Sequence, residues 1–423
     1  MSALGTEHPG GSPSFFRSRW VDRPEHVTEL DPGTLPLGFR AAGVAAGLKP
    51  EGLDLGVICS DAEETTSAAR FTTNARVGAP VEVSRAADLY RLRAVVANAG
   101  GSNTGDGRRG YETAVAMQAR AAELLELEPG QVGVASTGVI GSELPRERAL
   151  DGISAACAKL GPGAGDLAAA ILTSDSGPKH ASLEVALPSG AVHLSAQAKG
   201  AGMISPRFAT MFCFVQTDAA LDPDTIDLLT GVCVKRSFDR ISVDGQLSTS
   251  DTVFAQASGA SGVAVGSETE DEMRLGEALD ALLRQLAVEM VADGEGAAHA
   301  ARLIVRGAPD AVYPVARAVA DSPLVKTALH GADPNYGRIL QAAGAVMDPG
   351  YPFVADLEIE GRQLVSAGDV VELSASELAA LQEAMRAPEV ELALTLPGEG
   401  GEAEVFFSDL SEEYVTFNSQ YTT

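Results

Sequence analysis

Short apolar runs rich in valine, each ended by Gly, Pro or Asp, recur along the first half of the chain. Residues 55–59, 81–83, 93–96 and 132–135 have this form and predict strands. Between them, residues 113–127 (TAVAMQARAAELLEL) carry apolar positions at helical spacing with few breakers, which predicts a helix. Residues 146–160 predict a second. Further on, 182–187 and 192–196 alternate about Pro188-Ser189-Gly190, the pattern of a hairpin. Residues 212–217 (FCFVQT) predict a strand, and 277–292 (EALDALLRQLAVEMVA) the most regular helix of the chain. Strands are expected again at 353–360, 389–396 and 404–407. Such alternation predicts layered α/β architecture. Residues 1–36 show no period and are rich in Gly, Pro, Ser and charge, so they predict a flexible or loosely docked leader.

Composition narrows the function classes. The chain has 423 residues, 45% of them hydrophobic, enough for a sizeable core. Its formal net charge of −27 repels phosphate backbones and anionic lipid, so neither nucleic acid nor a membrane surface is an expected partner. The acidity is lopsided: 19 Lys+Arg face 23 Asp+Glu before position 210, and 12 face 35 from there on. That is the signature of a solvated surface, with attraction of a cationic substrate as the functional alternative. No apolar run approaches a membrane span, and no secretory h-region opens the chain. Cys59, Cys157, Cys213 and Cys233 are scattered without a CxxC, which fits a reduced, cytoplasmic protein without a zinc site. The zincin, P-loop and α/β-hydrolase motifs are missing, and the Gly-rich stretches 99–110 and 161–165 lack the strand–GxGxxG–helix layout. Asp244, Asp251 and Asp333 come without a ligand cluster and read as turn or hydrogen-bonding residues.

Two segments place small polar residues in apolar surroundings. In the first, a strand runs into Ser136-Thr137-Gly138. A Thr hydroxyl and a Gly N–H at a strand end can converge on one point, the geometry of an oxyanion hole. On its own, the segment reads as an ordinary turn after a strand. The second is KGAGMISPRFATM (199–211), where glycines precede an Ala209-Thr210 bond just before a strand. A Thr hydroxyl can attack its own preceding carbonyl, turning the amide into an ester that water opens. The new N-terminal amine can then act as base for its own hydroxyl. No histidine is needed.

Taken together, the motifs resemble a known family. GFRAAGVAAGLK (38–49), FTTN (71–74), STGVIG (136–141), KGAGMISPRFATM (199–211), SFDRISVDG (237–245), STSDT (248–252), DGEGA (293–297), SPLVKTALHGADPNYGRI (322–339) and YVTFNSQYTT (414–423) follow one another as in the ornithine acetyltransferases, the bifunctional glutamate N-acetyltransferases of arginine biosynthesis. The resemblance implies a layered α/β sandwich of the self-processing type, in two lobes with the nucleophile in the cleft between them. It implies cleavage between Ala209 and Thr210, giving an α chain (37–209 behind the leader) and a β chain (210–423). These associate as (αβ)₂ or higher. Thr210 is the implied nucleophile, and Thr137 and Gly138 the implied oxyanion hole. Substrate contacts are implied at Thr173, Lys199, Thr210, Glu295, Asn418 and Thr423. The implied reaction moves acetyl from N2-acetylornithine to glutamate through acetyl-Thr210. No metal or cofactor is expected, and acetyl-CoA is an alternative donor.

The chain also departs from the family pattern. Ser174 and Ser176 stand where Thr is usual, Ser250 where Asn is usual, and Ala332 and Tyr336 where Arg and Trp are usual. The loop 98–105 (NAGGSNTG) is looser than its family counterpart. Three alternatives therefore stay open: a paralogue with another acyl donor or acceptor in a secondary pathway, an N-terminal-nucleophile amidase or aminopeptidase, and a non-catalytic copy.

Overall fold

The computed structural model describes residues 14–205, 211–350 and 353–420. Its centre is a six-stranded sheet ordered Val27–Glu29, Lys179–Leu187, Gly190–Lys199, Phe212–Thr217, Thr252–Ala257 and Thr66–Phe71. All neighbours are antiparallel except Phe212–Thr217 and Thr252–Ala257. A four-stranded sheet of Phe39–Val44, Leu55–Ser60, Ala94–Asn98 and Val132–Ser136 packs on one face.

The period-2 alternation of side chains on a strand explains the layers. Phe212, Phe214 and Phe254 point toward the small sheet and pack with Ile58, Val95 and Ala135. Cys213, Val215, Val253 and Ala255 point the other way, into a cluster with Leu282, Leu286 and Val291 of the helix Glu270–Ala292. The outer face of the small sheet is covered by the helices Gly107–Leu125 and Arg146–Cys157. The result is helix, sheet, sheet, helix. A second lobe holds a seven-stranded sheet, with Ala300–Gly307 between Gly401–Ser408 and Glu389–Thr395, and its own apolar cluster. The layered α/β expectation is borne out. No helix among the described residues is long and apolar enough to cross a membrane.

Three expectations need correction. Residues 81–83 lie in the short helix Ala79–Arg85, which has a proline in its first turn. Seven residues are too few to display a helical period, and Val-Glu-Val mimics a strand. Its Ser84 hydroxyl bonds both the N–H and the carbonyl of Val134, docking the helix on the small sheet. The helix expected from 277 begins at Glu270. Thr269 caps it by accepting from the Glu272 N–H, and three acids occupy its first turn. Finally, the described part of the leader, 14–36, is docked. Val27–Glu29 pairs with Leu183–Val185, and Trp20 packs on Phe406 with ring centroids 5.6 Å apart. Its indole N–H reaches Glu391 at 3.1 Å. A few aromatic anchors outweigh the Gly/Pro-rich composition around them.

Phe254 is the keystone between the two sheets. It is 1% exposed, meets Phe71 edge-on at 5.8 Å and Phe214 at 6.2 Å, and lies directly beneath Gly133. Phe254→Ala should destabilise the fold by about 3–5 kcal/mol. A urea titration reads this directly, and an unchanged midpoint contradicts the two-sheet core.

Candidate active site

A cavity of about 200 Å³ opens where the central sheet, the small sheet and the last helix meet. Thr137, Gly138, Thr173, Lys199, Glu295 and Asn418 all line it. These are the six expected site residues that fall within the described chain. Ala209, Thr210 and Thr423 lie outside the described residues.

Thr137 and Gly138 follow the strand Val132–Ser136, which runs parallel to Ala94–Asn98. The loop after each strand braces the other. Thr137 N–H donates to the Asn98 carbonyl at 3.0 Å, Ser102 N–H to Val139 at 3.0 Å, and Gly141 N–H to Thr104 at 2.8 Å. Gly138 sits at φ +119°, and a Cβ there would lie 2.6 Å from the Gly100 carbonyl carbon. Only glycine fits this crossing.

Lys199 ends its strand opposite Phe212 and is almost fully buried. Its ammonium donates to the Thr173 hydroxyl at 2.6 Å. Asp175 organises the loop around Thr173: it accepts the Thr173 N–H at 3.2 Å, the Gly200 N–H at 2.6 Å and the Lys179 ammonium at 2.8 Å. Burial disfavours its charge, yet Lys199 and Lys179 prevail and hold its carboxyl well below the usual range.

Glu295 accepts from Ser174 Oγ at 2.6 Å and Asn418 Nδ2 at 2.8 Å. Both donors are neutral groups. The absence of a side chain at Gly202 makes room: a Cβ there would lie 2.5 Å from that carboxylate. The next residue, Met203, is held at φ +54°. Asp244 fixes this unusual turn by accepting the N–H groups of Met203 at 2.7 Å and Ile204 at 2.9 Å. Tyr414 OH donates to the same carboxylate at 3.2 Å. Ser248, Thr249 and Ser250 form the opposite wall, and the 71–74 motif supports it: Thr72 Oγ1 and Asn74 Nδ2 bond the carbonyls of Ser248 and Leu247.

A model described as the ArgJ family matches residues 40–423. The chain belongs to the ArgJ family. The arginine biosynthesis bifunctional protein ArgJ of Rhodopirellula baltica is 41% identical over 406 residues, covering 93% of this chain and 98% of that one. Its counterpart from Symbiobacterium thermophilum is 40% identical, over 92% and 98%. Among solved structures, the ornithine acetyltransferase of Mycobacterium tuberculosis complexed with ornithine is 31% identical, with a TM-score of 0.40 over 44% of this chain and 99% of that one. The arginine biosynthesis bifunctional protein ArgJ of Bacillus halodurans is 30% identical, with a TM-score of 0.46 over 50% and 98%.

In this ArgJ chain, several cavity residues escaped the sequence reading as site residues: Ser102, Met203, Asp244, Ser248, Thr249 and Tyr414. All but Ser102 sit within motifs quoted for the family, but nothing in a single sequence marks them as facing a cavity. Asp244 and Asp333 take hydrogen-bonding roles, as expected from the turn-rich sequence around them. Among the described residues, no three His, Cys, Asp or Glu side chains gather as a metal-binding group. His330 pairs with Asp409 at 2.7 Å and does not line the cavity. Cys213 is fully buried, and burial pushes its thiol up.

Asp251 is the remaining acid near this wall. It accepts the N–H of Met211, the residue after Thr210, at 3.0 Å. Burial pushes its carboxyl from 3.8 up to about 8, against the pull of that N–H. The fold thus keeps a proton on Asp251 at pH values where the unfolded chain has lost it. Its stabilising contribution is complete below about pH 4 and is lost as pH rises through about 8. Relative to wild type, Asp251→Asn should therefore gain stability steadily across this range. Urea midpoints taken at several pH values check this, and a difference independent of pH contradicts it.

Proposed function

We propose that this chain is a self-cleaving acetyltransferase that moves the acetyl group of N2-acetylornithine to glutamate on Thr210. One observation carries the reading: a single cavity, in a chain of the ArgJ family, gathers Thr137, Gly138, Lys199, Glu295 and Asn418 from four separate motifs. Its charges suit the donor. The Lys199 ammonium matches the α-carboxylate of acetylornithine, and Glu295 its side-chain ammonium.

The proposed chemistry begins with processing. Thr210 Oγ attacks the Ala209 carbonyl carbon, the Ala209–Thr210 amide becomes an ester, and water opens it. The α chain (37–209 behind the leader) and the β chain (210–423) remain together, assembling as (αβ)₂ or higher. In turnover, the freed α-amine of Thr210 takes the hydroxyl proton as Oγ attacks the acetyl carbon. The tetrahedral oxyanion is stabilised by the Gly138 N–H and the Thr137 hydroxyl. As the C–N bond breaks, the proton passes to the departing amine of ornithine. The amine of glutamate then attacks acetyl-Thr210, giving N-acetylglutamate and restoring the hydroxyl. Thr173, Asn418 and Thr423 complete the proposed substrate contacts. The scheme uses no metal or bound cofactor; acetyl-CoA is the proposed alternative donor, and the cytoplasm the proposed compartment.

A denatured mass spectrum, before and after adding acetylornithine alone, tests this. Two chains divided at 209/210 are expected, with the β chain gaining one acetyl group. An intact chain under folding conditions sinks the Thr210 mechanism, whereas division without acetylation points to another donor or to hydrolysis. Thr137→Val, which removes one oxyanion donor at nearly constant volume, should slow β-chain acetylation by about 10²–10³. Quenched-flow mass spectrometry measures that rate.

A further inference from the structure

Four buried or half-buried charges run in a line behind the cavity: Asp293, Lys179, Asp175 and Lys199. Lys179 holds both close pairs, with Asp175 at 2.8 Å and Asp293 at 2.5 Å. Lys199 is left with Asp175 at 3.6 Å and the neutral Thr173 hydroxyl at 2.6 Å. The Asp175 side chain is 0% exposed and those of Lys199 and Lys179 are 2% and 5% exposed, so solvent screens these charges little. Lys179 does not line the catalytic cavity. It faces a separate cavity of about 420 Å³, beside Arg17, Glu289 and Asp293.

We infer that Lys179 is a positioning residue that draws the Asp175 carboxylate away from Lys199 and so leaves the Lys199 ammonium free for the carboxylate of the acyl donor. The geometry gives the cause. Among the described residues, two cations lie within ion-pair distance of Asp175, and Lys179 is 0.8 Å closer than Lys199, with Lys49 acting only from farther away. Asp293 fixes Lys179 in place, and its carboxylate is itself oriented by the Ser176 N–H at 3.0 Å. Burial works against the Lys179 charge, but Asp175 and Asp293 outweigh it and raise its pKa above the ordinary lysine value. Without Lys179, Lys199 is the one described cation left within ion-pair distance of Asp175, and an incoming carboxylate must displace an internal one.

This inference rests on the proposed role of Lys199 in carboxylate binding, and the test separates the two. The processed enzyme is assayed with N2-acetylornithine and with N-(4-aminobutyl)acetamide, the same donor without its carboxylate. Lys179→Met should raise KM for acetylornithine at least about tenfold while kcat stays within about threefold. Turnover of the carboxylate-free donor should not change, and Lys179→Arg should restore KM. An unchanged KM, or equal loss on both donors, overturns the inference. If Lys179→Met does not fold, Asp293→Asn decides: it leaves Lys179 wholly to Asp175, so KM should hold or fall, and a rise of about tenfold overturns the inference. Failure of the underlying function appears elsewhere, as wild-type enzyme that acetylornithine does not acetylate.

Discussion

Register in the central sheet is the constraint on which the rest of the structure depends. Lys199 lies opposite Phe212 on one side, and Thr252 lies opposite Phe212 on the other. Three strand ends are thereby fixed to one another by backbone hydrogen bonds. One step along, Met211 meets Asp251, and Ser248–Ser250 reach the cavity wall. A slip of one residue would turn Phe212 and Phe214 away from the small sheet and bury Cys213 and Val215 in their place. A one-residue slip of the Lys199 strand would likewise turn Lys199 out of the cavity. The same ladder joins residues before 209 to residues after 210, from Leu194↔Thr217 to Lys199↔Phe212. A broken peptide bond at 209/210 removes none of these bonds, so the ladder supplies a physical reason for cut chains to stay together.

Within this frame, buried carboxylates do most of the local shaping. Asp175 gathers Thr173, Gly200 and two lysines around one side chain, and Asp244 fixes the turn at Met203. Each is costly to bury unless its hydrogen bonds are complete, and that cost makes the surrounding backbone specific. A loop that misplaces one N–H strands a buried charge. Asp251 solves the same problem differently: burial outweighs the Met211 N–H and the Ser248 and Thr72 hydroxyls, so the fold favours the neutral acid. Ser248, Thr249 and Ser250 present hydroxyls to the cavity, while its ionisable side chains Lys199, Asp244 and Glu295 lie elsewhere on the lining.

The sequence revealed the architecture more readily than its boundaries. Long amphipathic segments and Val-rich strands carry their period openly, so the layered α/β class and most strands were legible. Residues 81–83 were misread because a seven-residue helix cannot show its period, and 14–36 because Trp20 and Phe15 act singly against a polar composition. The site was legible only where a motif has a chemical meaning by itself or through family likeness, as at Thr137, Gly138, Lys199, Glu295 and Asn418. Lys179 and Asp293 had no such signal. A lysine at a strand start resembles any surface lysine until the fold buries it to 5% exposure between two carboxylates. Long-range ion pairs are properties of the topology, which juxtaposes positions 179 and 293 without any local pattern in the chain.

The departures from the family pattern can now be sorted by place. Ser174 keeps the hydroxyl that donates to Glu295, so losing a methyl group leaves this hydrogen bond intact. Ser250 lies on the cavity wall in a cluster with Thr104 and Thr249, where a hydroxyl takes the place of an amide. Ala332 is buried in the second lobe at φ +49°, and Tyr336 begins a helix there at 36% exposure. Neither lines the cavity. The changes that looked largest in sequence are thus remote from the charges that match acetylornithine, and those within reach of a ligand preserve a hydroxyl or introduce one. Of the departures, Ser250 and the loop 98–105, through Ser102, bear on the hydrogen-bonding groups facing the cavity. Any difference in ligand selection would be read at those two places, since Lys199 and Glu295 keep the residue types of the family motifs.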